Sequence, residues 1–161
     1  MKRIAVCLTL LIALAACENS ADPLGGFGGD GGGGVLTQAQ ASGTWSFTLN
    51  RTNTLACPVG SLPNGQVLTT NIVAGTDGSV SSTTSSWRDP SGNLRPLSGT
   101  VRLTDGVTSL LFNSGSGAAM ELRGTMTPTG AFSGTMTDPA AGFAFVFSGG
   151  CEYTAAGTKT S

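Results

Sequence analysis

The chain has no histidine among its 161 residues. That removes the side chain most used as a general base near neutral pH and as a metal ligand. Its four cysteines include no Cys-x-x-Cys pair, so neither a zinc site nor a dithiol redox motif is written into it. Serine is common, yet none stands in a Gly-x-Ser-x-Gly elbow, the turn that exposes a nucleophile in one hydrolase class. Charged residues make up only 11% of the chain. Its cations form no cluster, which argues against a nucleic-acid partner. Acidic residues fall mostly in turns (Asp77, Asp89, Asp105, Asp138), where a carboxylate caps its own backbone. Alternation turns Glu121 and Glu152 outward, so they form no carboxylate pair. The glycine tracts open no phosphate-cradling loop before a helix. The expectation is therefore a non-enzymatic protein: no catalytic residues, no metal and no cofactor.

What is present begins at the N-terminus. Lys2 and Arg3 precede an apolar run from Ile4 to Leu14, too short to span a bilayer but the right length for a secretory signal. Ordinary cleavage after Ala16 would leave Cys17 as a free or disulfide-bonded thiol. Leu14-Ala15-Ala16-Cys17 also resembles the lipobox of bacterial lipoproteins. The resemblance implies cleavage after Ala16, a diacylglycerol thioether on Cys17 and usually a third acyl chain on the new amine. Two or more chains give stable anchoring. Localisation in the bacterial cell envelope follows. Glu18, where Asp marks inner-membrane retention in enteric lipoproteins, points to the outer membrane.

From Glu18 to Ala41 the chain is rich in glycine (Gly25-Gly26, Gly28-Gly29, Gly31 to Gly34) and poor in apolar residues. Such a segment lacks the surface to offset its ordering entropy, so a disordered tether reaching about 25–30 Å is expected. With Cys7 discarded in the signal and Cys17 lipidated, Cys57 and Cys151 remain, and in an exported chain they read as one disulfide. The mature part keeps six basic residues against nine acidic ones, a net charge near −3. The domain boundaries expected are a signal at 1–16, the lipidated N-terminus and tether at 17–41, a β-domain at 42–155 and a C-terminal tail at 156–161.

After Ser42, polar and apolar residues alternate with period two. Trp45, Phe47 and Leu49 share a face, followed by a long loop and strands at Gln66 to Ala74 and, more polar, Ser79 to Trp87. Leu97 to Thr104 and Thr108 to Phe112 flank Asp105-Gly106, a strong hairpin signal. Ala118 to Thr127 turns Met120, Leu122, Gly124 and Met126 inward. Ala131 to Thr137 follows, and a last strand carries Phe143, Phe145 and Phe147 on one face through Gly149 and Cys151. These segments predict an all-β fold, an eight-stranded antiparallel up-and-down barrel closed by one disulfide; the alternative is a two-sheet sandwich. Closure would remove both sheet edges and bring Cys57 to Cys151. Outward Ser, Thr and Arg, without aromatic girdles, speak against a barrel that itself lies in lipid.

Gly43-Thr44-Trp45, opening the first strand before a long first loop, is similar to the Gly-x-Trp motif of the lipocalin and calycin group. That likeness implies a small apolar ligand inside the barrel, with Phe143, Phe145, Phe147, Met120 and Met126 lining it. The basic residue lipocalins place in the last strand is missing between Phe143 and Thr154. The plan is also similar to bacterial metalloprotease inhibitors and to lipoprotein inhibitors of lysozyme, whose Ser-Gly-Ala stretch Ser116-Gly117-Ala118 resembles. Two roles are therefore expected. One is a protein-facing or structural role in the envelope, with the first loop at Cys57-Pro58 as contact surface. The other is binding of an apolar ligand. The membrane, through the acyl chains, is a partner in both.

Overall fold

The computed structural model describes residues 34–52, 57, 61–113, 119–139 and 150–161. Helix α1 (Gln38–Ala41) precedes nine strands: β1 (Gly43–Arg51), β2 (Gln66–Ile72), β3 (Ser79–Val80), β4 (Ser86–Arg88), β5 (Leu94–Val101), β6 (Val107–Phe112), β7 (Met120–Met126), β8 (Ala131–Asp138) and β9 (Cys151–Lys159). Antiparallel pairing runs β1-β2-β4-β5-β6-β7-β8-β9 and returns to β1, closing an eight-stranded barrel with β3 as one extra strand. The closing seam runs from Trp45 opposite Lys159 to Arg51 opposite Tyr153. Closure leaves no long raw edge.

The inward phase read from β1, β5 and β7 is the observed one. Trp45, Phe47, Leu49, Leu97, Leu122 and Met126 are all fully buried. Outward positions such as Thr48, Arg123 and Thr135 face solvent. No helix among the described residues is long and apolar enough to cross a membrane.

Four expectations about element boundaries are corrected. The last strand, expected from Phe143 through Cys151, is described as Cys151–Lys159 and runs on into the expected tail; Phe143, Phe145 and Phe147 lie outside the described residues, as does Cys17. Residues 156–158, expected as tail, pair with both β1 and β8, and Lys159 pairs with Trp45 of β1. The continuous strand expected from Ser79 to Trp87 is broken between β3 and β4. There Ser81 Oγ meets Thr83 Oγ1 at 2.8 Å, and the Ser85 amide donates to the Ser81 carbonyl. Hydroxyl side chains offered their own backbone a local alternative to the ladder. Finally, order begins before Ser42. Thr37 and Gln40 form a capping box, each side chain accepting from the other's amide, and Leu36 and Ala41 are buried.

The Asp105-Gly106 hairpin is wider than a two-residue turn. Arg102 N donates to Val107 O, and Gly106 takes a positive φ of 74°. In the wall, Gly124 sits directly opposite Gly134. A methyl at Gly124 would lie 2.7 Å from the Gly134 Cα and press on the Ser133 carbonyl. Both of these are backbone, and the Phe132 ring tip lies at 2.6 Å as well, so the strands would have to part. Gly124→Ala is therefore expected to cost about 2–3 kcal/mol in urea unfolding; an unchanged midpoint would show that the glycine pair is not a packing requirement.

Candidate functional site

Up-and-down topology gathers the strand ends into two rims. At the first, α1 lies across the barrel mouth. The Trp45 Nε1–H donates to the Ala41 carbonyl at 3.1 Å, Leu36 N to Leu103 O at 2.7 Å and Gln38 Nε2 to Ala74 O at 2.8 Å. Each bond ties the α1 segment to a different strand or turn, so this end is stoppered. A shallow recess of about 300 Å³ remains beside it, between Gln40, the β7–β8 turn and the last residues of the chain. Its cation, Lys159, is engaged with the Ala39 carbonyl at 2.6 Å. Among the described residues that line the recess there is no acid–base side-chain pair.

At the second rim the disulfide Cys57–Cys151 joins the loop after β1 to the first residue of β9, across a sequence separation of 94. The loop's return arm is fastened at several points, most heavily at one carbonyl. Leu62 O accepts from Arg51 Nε at 3.0 Å, Arg51 Nη2 at 2.6 Å and the Tyr153 hydroxyl at 2.8 Å. Asn64 Oδ1 accepts the Arg51 amide, and Thr52 N donates to Glu152 O. These bonds hold the Leu62 side chain down in the core, 6% exposed. The Ser61 hydroxyl beside it is buried and has no hydrogen-bond partner among the described residues.

Burial pushes the Tyr153 phenol above its ordinary value of 10.0; Asp138 adds to the rise, while Arg51 opposes it. The folded form thus holds this proton more tightly than the unfolded chain. Its stabilising contribution is full below about pH 10 and is lost as pH rises through the folded value. Tyr153 is the chain's single tyrosine, so ultraviolet absorbance titration reads it alone. Wild type is expected to ionise late and lose stability as it does so, and Tyr153→Phe to flatten that alkaline fall. A titration at the ordinary value would contradict the buried hydrogen bond.

Between the rims the interior is filled by rings. Trp45 stacks on Phe47 with centroids 6.1 Å apart; Phe47 meets Phe132 and Phe112 edge-on at 5.2 and 6.4 Å; Phe112 meets Trp87 at 5.4 Å. Of the five ligand-lining candidates, Met120 and Met126 are described. Both face inward and belong to this core, at 5% and 0% exposure.

Glu121 and Glu152 lie on the outward phase of their strands; Glu121 accepts from Arg123 Nε at 2.7 Å and from the Ser109 hydroxyl. Among the described residues no group of three or more Cys, Asp or Glu is placed to hold a metal. The fastening residues Arg51, Leu62 and Tyr153 were not singled out by sequence. Alternation from Cys151 would have turned Tyr153 inward, but nothing local marks Leu62 as its acceptor.

The fold thus defines a small closed β-barrel, stoppered by a helix at one rim and strapped by a disulfide-bonded loop at the other. Comparison with protein-family models, with curated proteins and with solved structures returned no match to this chain.

Proposed function

We propose that this chain is a non-enzymatic lipoprotein of the bacterial envelope, anchored through Cys17, whose barrel is a rigid carrier for a protein-facing surface. One observation carries the reading: the barrel's own rings occupy its interior from Trp45 to Trp87. Ligand barrels instead keep a cavity of several hundred Å³, whereas eight-stranded barrels are just wide enough to be filled by side chains. The polar outward faces suit a barrel held in water beside a membrane. The lipobox resemblance and Glu18 support the outer membrane as the anchoring site.

Native mass spectrometry of the detergent-extracted full chain tests the filled barrel. The expected mass is that of the protein with its covalent acyl chains. A retained non-covalent lipid, one per barrel, would establish the lipocalin-like alternative instead. The anchor is tested separately: Cys17→Ser is expected to abolish labelled palmitate incorporation and to release the protein from the membrane fraction. Unchanged labelling and sedimentation would disprove lipidation at Cys17.

A further inference from the structure

We infer that Asn64 is a covalent modification site, a deamidation site that the barrel holds unreacted while the return arm of the first loop stays fastened. Among the described residues, Asn or Asp precedes glycine at Asn64-Gly65, Asp77-Gly78 and Asp105-Gly106. In such a pair the glycine nitrogen can attack the side-chain carbonyl carbon, because no Cβ stands in the way. The structure separates the three. A Cβ at Gly78 would strike the Val101 carbonyl oxygen and one at Gly106 that of Met126, so neither backbone has room to turn. Asp77 and Asp105 are also held as carboxylates, which are poor electrophiles, by hydrogen bonds from Ser79 and Arg102. Asn64 is instead a neutral, exposed amide. Gly65 takes a φ of 76° and has open space where a Cβ would stand.

Two hydrogen bonds occupy the reacting groups. The Gly65 N–H donates to the Leu49 carbonyl at 2.8 Å, and Asn64 Oδ1 accepts the Arg51 amide at 2.8 Å. Both belong to the arm that Arg51 and Tyr153 pin through the Leu62 carbonyl. When the arm lets go, the Gly65 nitrogen gives its proton to water and attacks Asn64 Cγ. The Cγ–Nδ2 bond breaks, Nδ2 leaves as ammonia, and a five-membered imide closes. Water then opens either of the imide's C–N bonds, leaving aspartate or isoaspartate; nothing is oxidised or reduced. Isoaspartate adds a methylene to the main chain between the two bonds, so Leu49 and Arg51 cannot both be met and the arm cannot refasten. Plain aspartate keeps the backbone length and an oxygen for the Arg51 amide. The site thus records, irreversibly, that the arm has opened.

To test this, the intact protein is incubated in mildly alkaline heavy-oxygen water, folded or in urea, and position 64 is followed by peptide mass spectrometry. Each event exchanges ammonia for one labelled oxygen. The folded wild type is expected to react about tenfold more slowly than the unfolded chain, or slower still, because both bonds must open first. Arg51→Met removes the guanidinium that binds the Leu62 and Ser61 carbonyls but keeps the backbone amide, and should raise the folded-state rate severalfold. Tyr153→Phe removes one bond to Leu62 and gives the same comparison with less risk to folding. Equal rates folded and in urea, or folded variants that react no faster than wild type, overturn the gate. Reaction in urea no faster at Asn64 than at the other asparagines overturns the site. A second readout tests the consequence. The isoaspartate product is expected to unfold at lower urea than Asn64→Asp, which should keep the wild-type midpoint; coincident midpoints would mean that the arm refastens.

Discussion

A Cys57→Ser/Cys151→Ser double variant is expected to unfold with a free energy about 4–5 kcal/mol below that of the wild type. The estimate follows from the loop-closure entropy of a cross-link spanning 94 residues. Few single changes in a domain of this size approach it, since total stability is only about 5–15 kcal/mol. The bond acts on the unfolded chain, tying the loop after the first strand to the start of the last. In the folded state the same ends are held independently by the seam from Trp45–Lys159 to Arg51–Tyr153 and by the bonds to Leu62 O. The variant should therefore keep a native circular dichroism spectrum in buffer while its urea midpoint falls steeply. Reducing agent should lower the wild-type midpoint to the same place and leave the double variant untouched. A loss under about 1 kcal/mol would mean that the unfolded chain already keeps these ends together. Two serines are preferable to one, because a single change leaves a reactive thiol.

The barrel was legible because its inward positions are large and apolar where the chain has space for them. β7 shows this well: Met120, Leu122 and Met126 alternate with Glu121, Arg123 and Thr125. The far end of β9, from Ala156 to Lys159, was missed for the opposite reason. The strand's inward residues are Cys151, Tyr153, Ala155 and Gly157, mostly small, and the phenylalanines from 143 to 147 alternate more loudly. The smallness has a structural cause: Gly157 faces Phe47 across one seam and Phe132 across the other, and the Phe47 ring and the Phe132 Cβ occupy its space. The break between β3 and β4 was hidden because a run of Ser and Thr satisfies a strand pattern and a hydroxyl-bonded turn equally well. α1 is too short for helical periodicity and announces itself only through the capping residues Thr37 and Gln40. The fastening at Leu62 has no local signature at all. It joins Tyr153 to an acceptor 91 residues away, a contact set by barrel closure.

Phe47→Ala is expected to cost about 3–5 kcal/mol, the range for removing a buried ring whose cavity cannot collapse. Collapse is opposed on three sides, because Trp45 stacks on the ring and Phe112 and Phe132 meet it edge-on. The fourth side is Gly157. A methyl there would lie 2.6 Å from Phe47 Cδ1 and 2.8 Å from Cε1, so Gly157→Ala alone is expected to overpack the site by about 1–3 kcal/mol. In the Phe47→Ala background the same methyl enters space the ring has vacated, leaving only the Phe132 Cβ at 3.1 Å, and most of its penalty should disappear. The double variant is thus expected to be more stable than the sum of its parts by about 1 kcal/mol or more, a coupling of the kind contacting residues show. Urea unfolding of the four proteins in this cycle measures it, and near-ultraviolet circular dichroism follows the loss of the Trp45 stack. Strict additivity would mean that the ring and the glycine do not share the space the barrel assigns them. A filled interior predicts the coupling, because the size of each inward residue is then set by the one it faces.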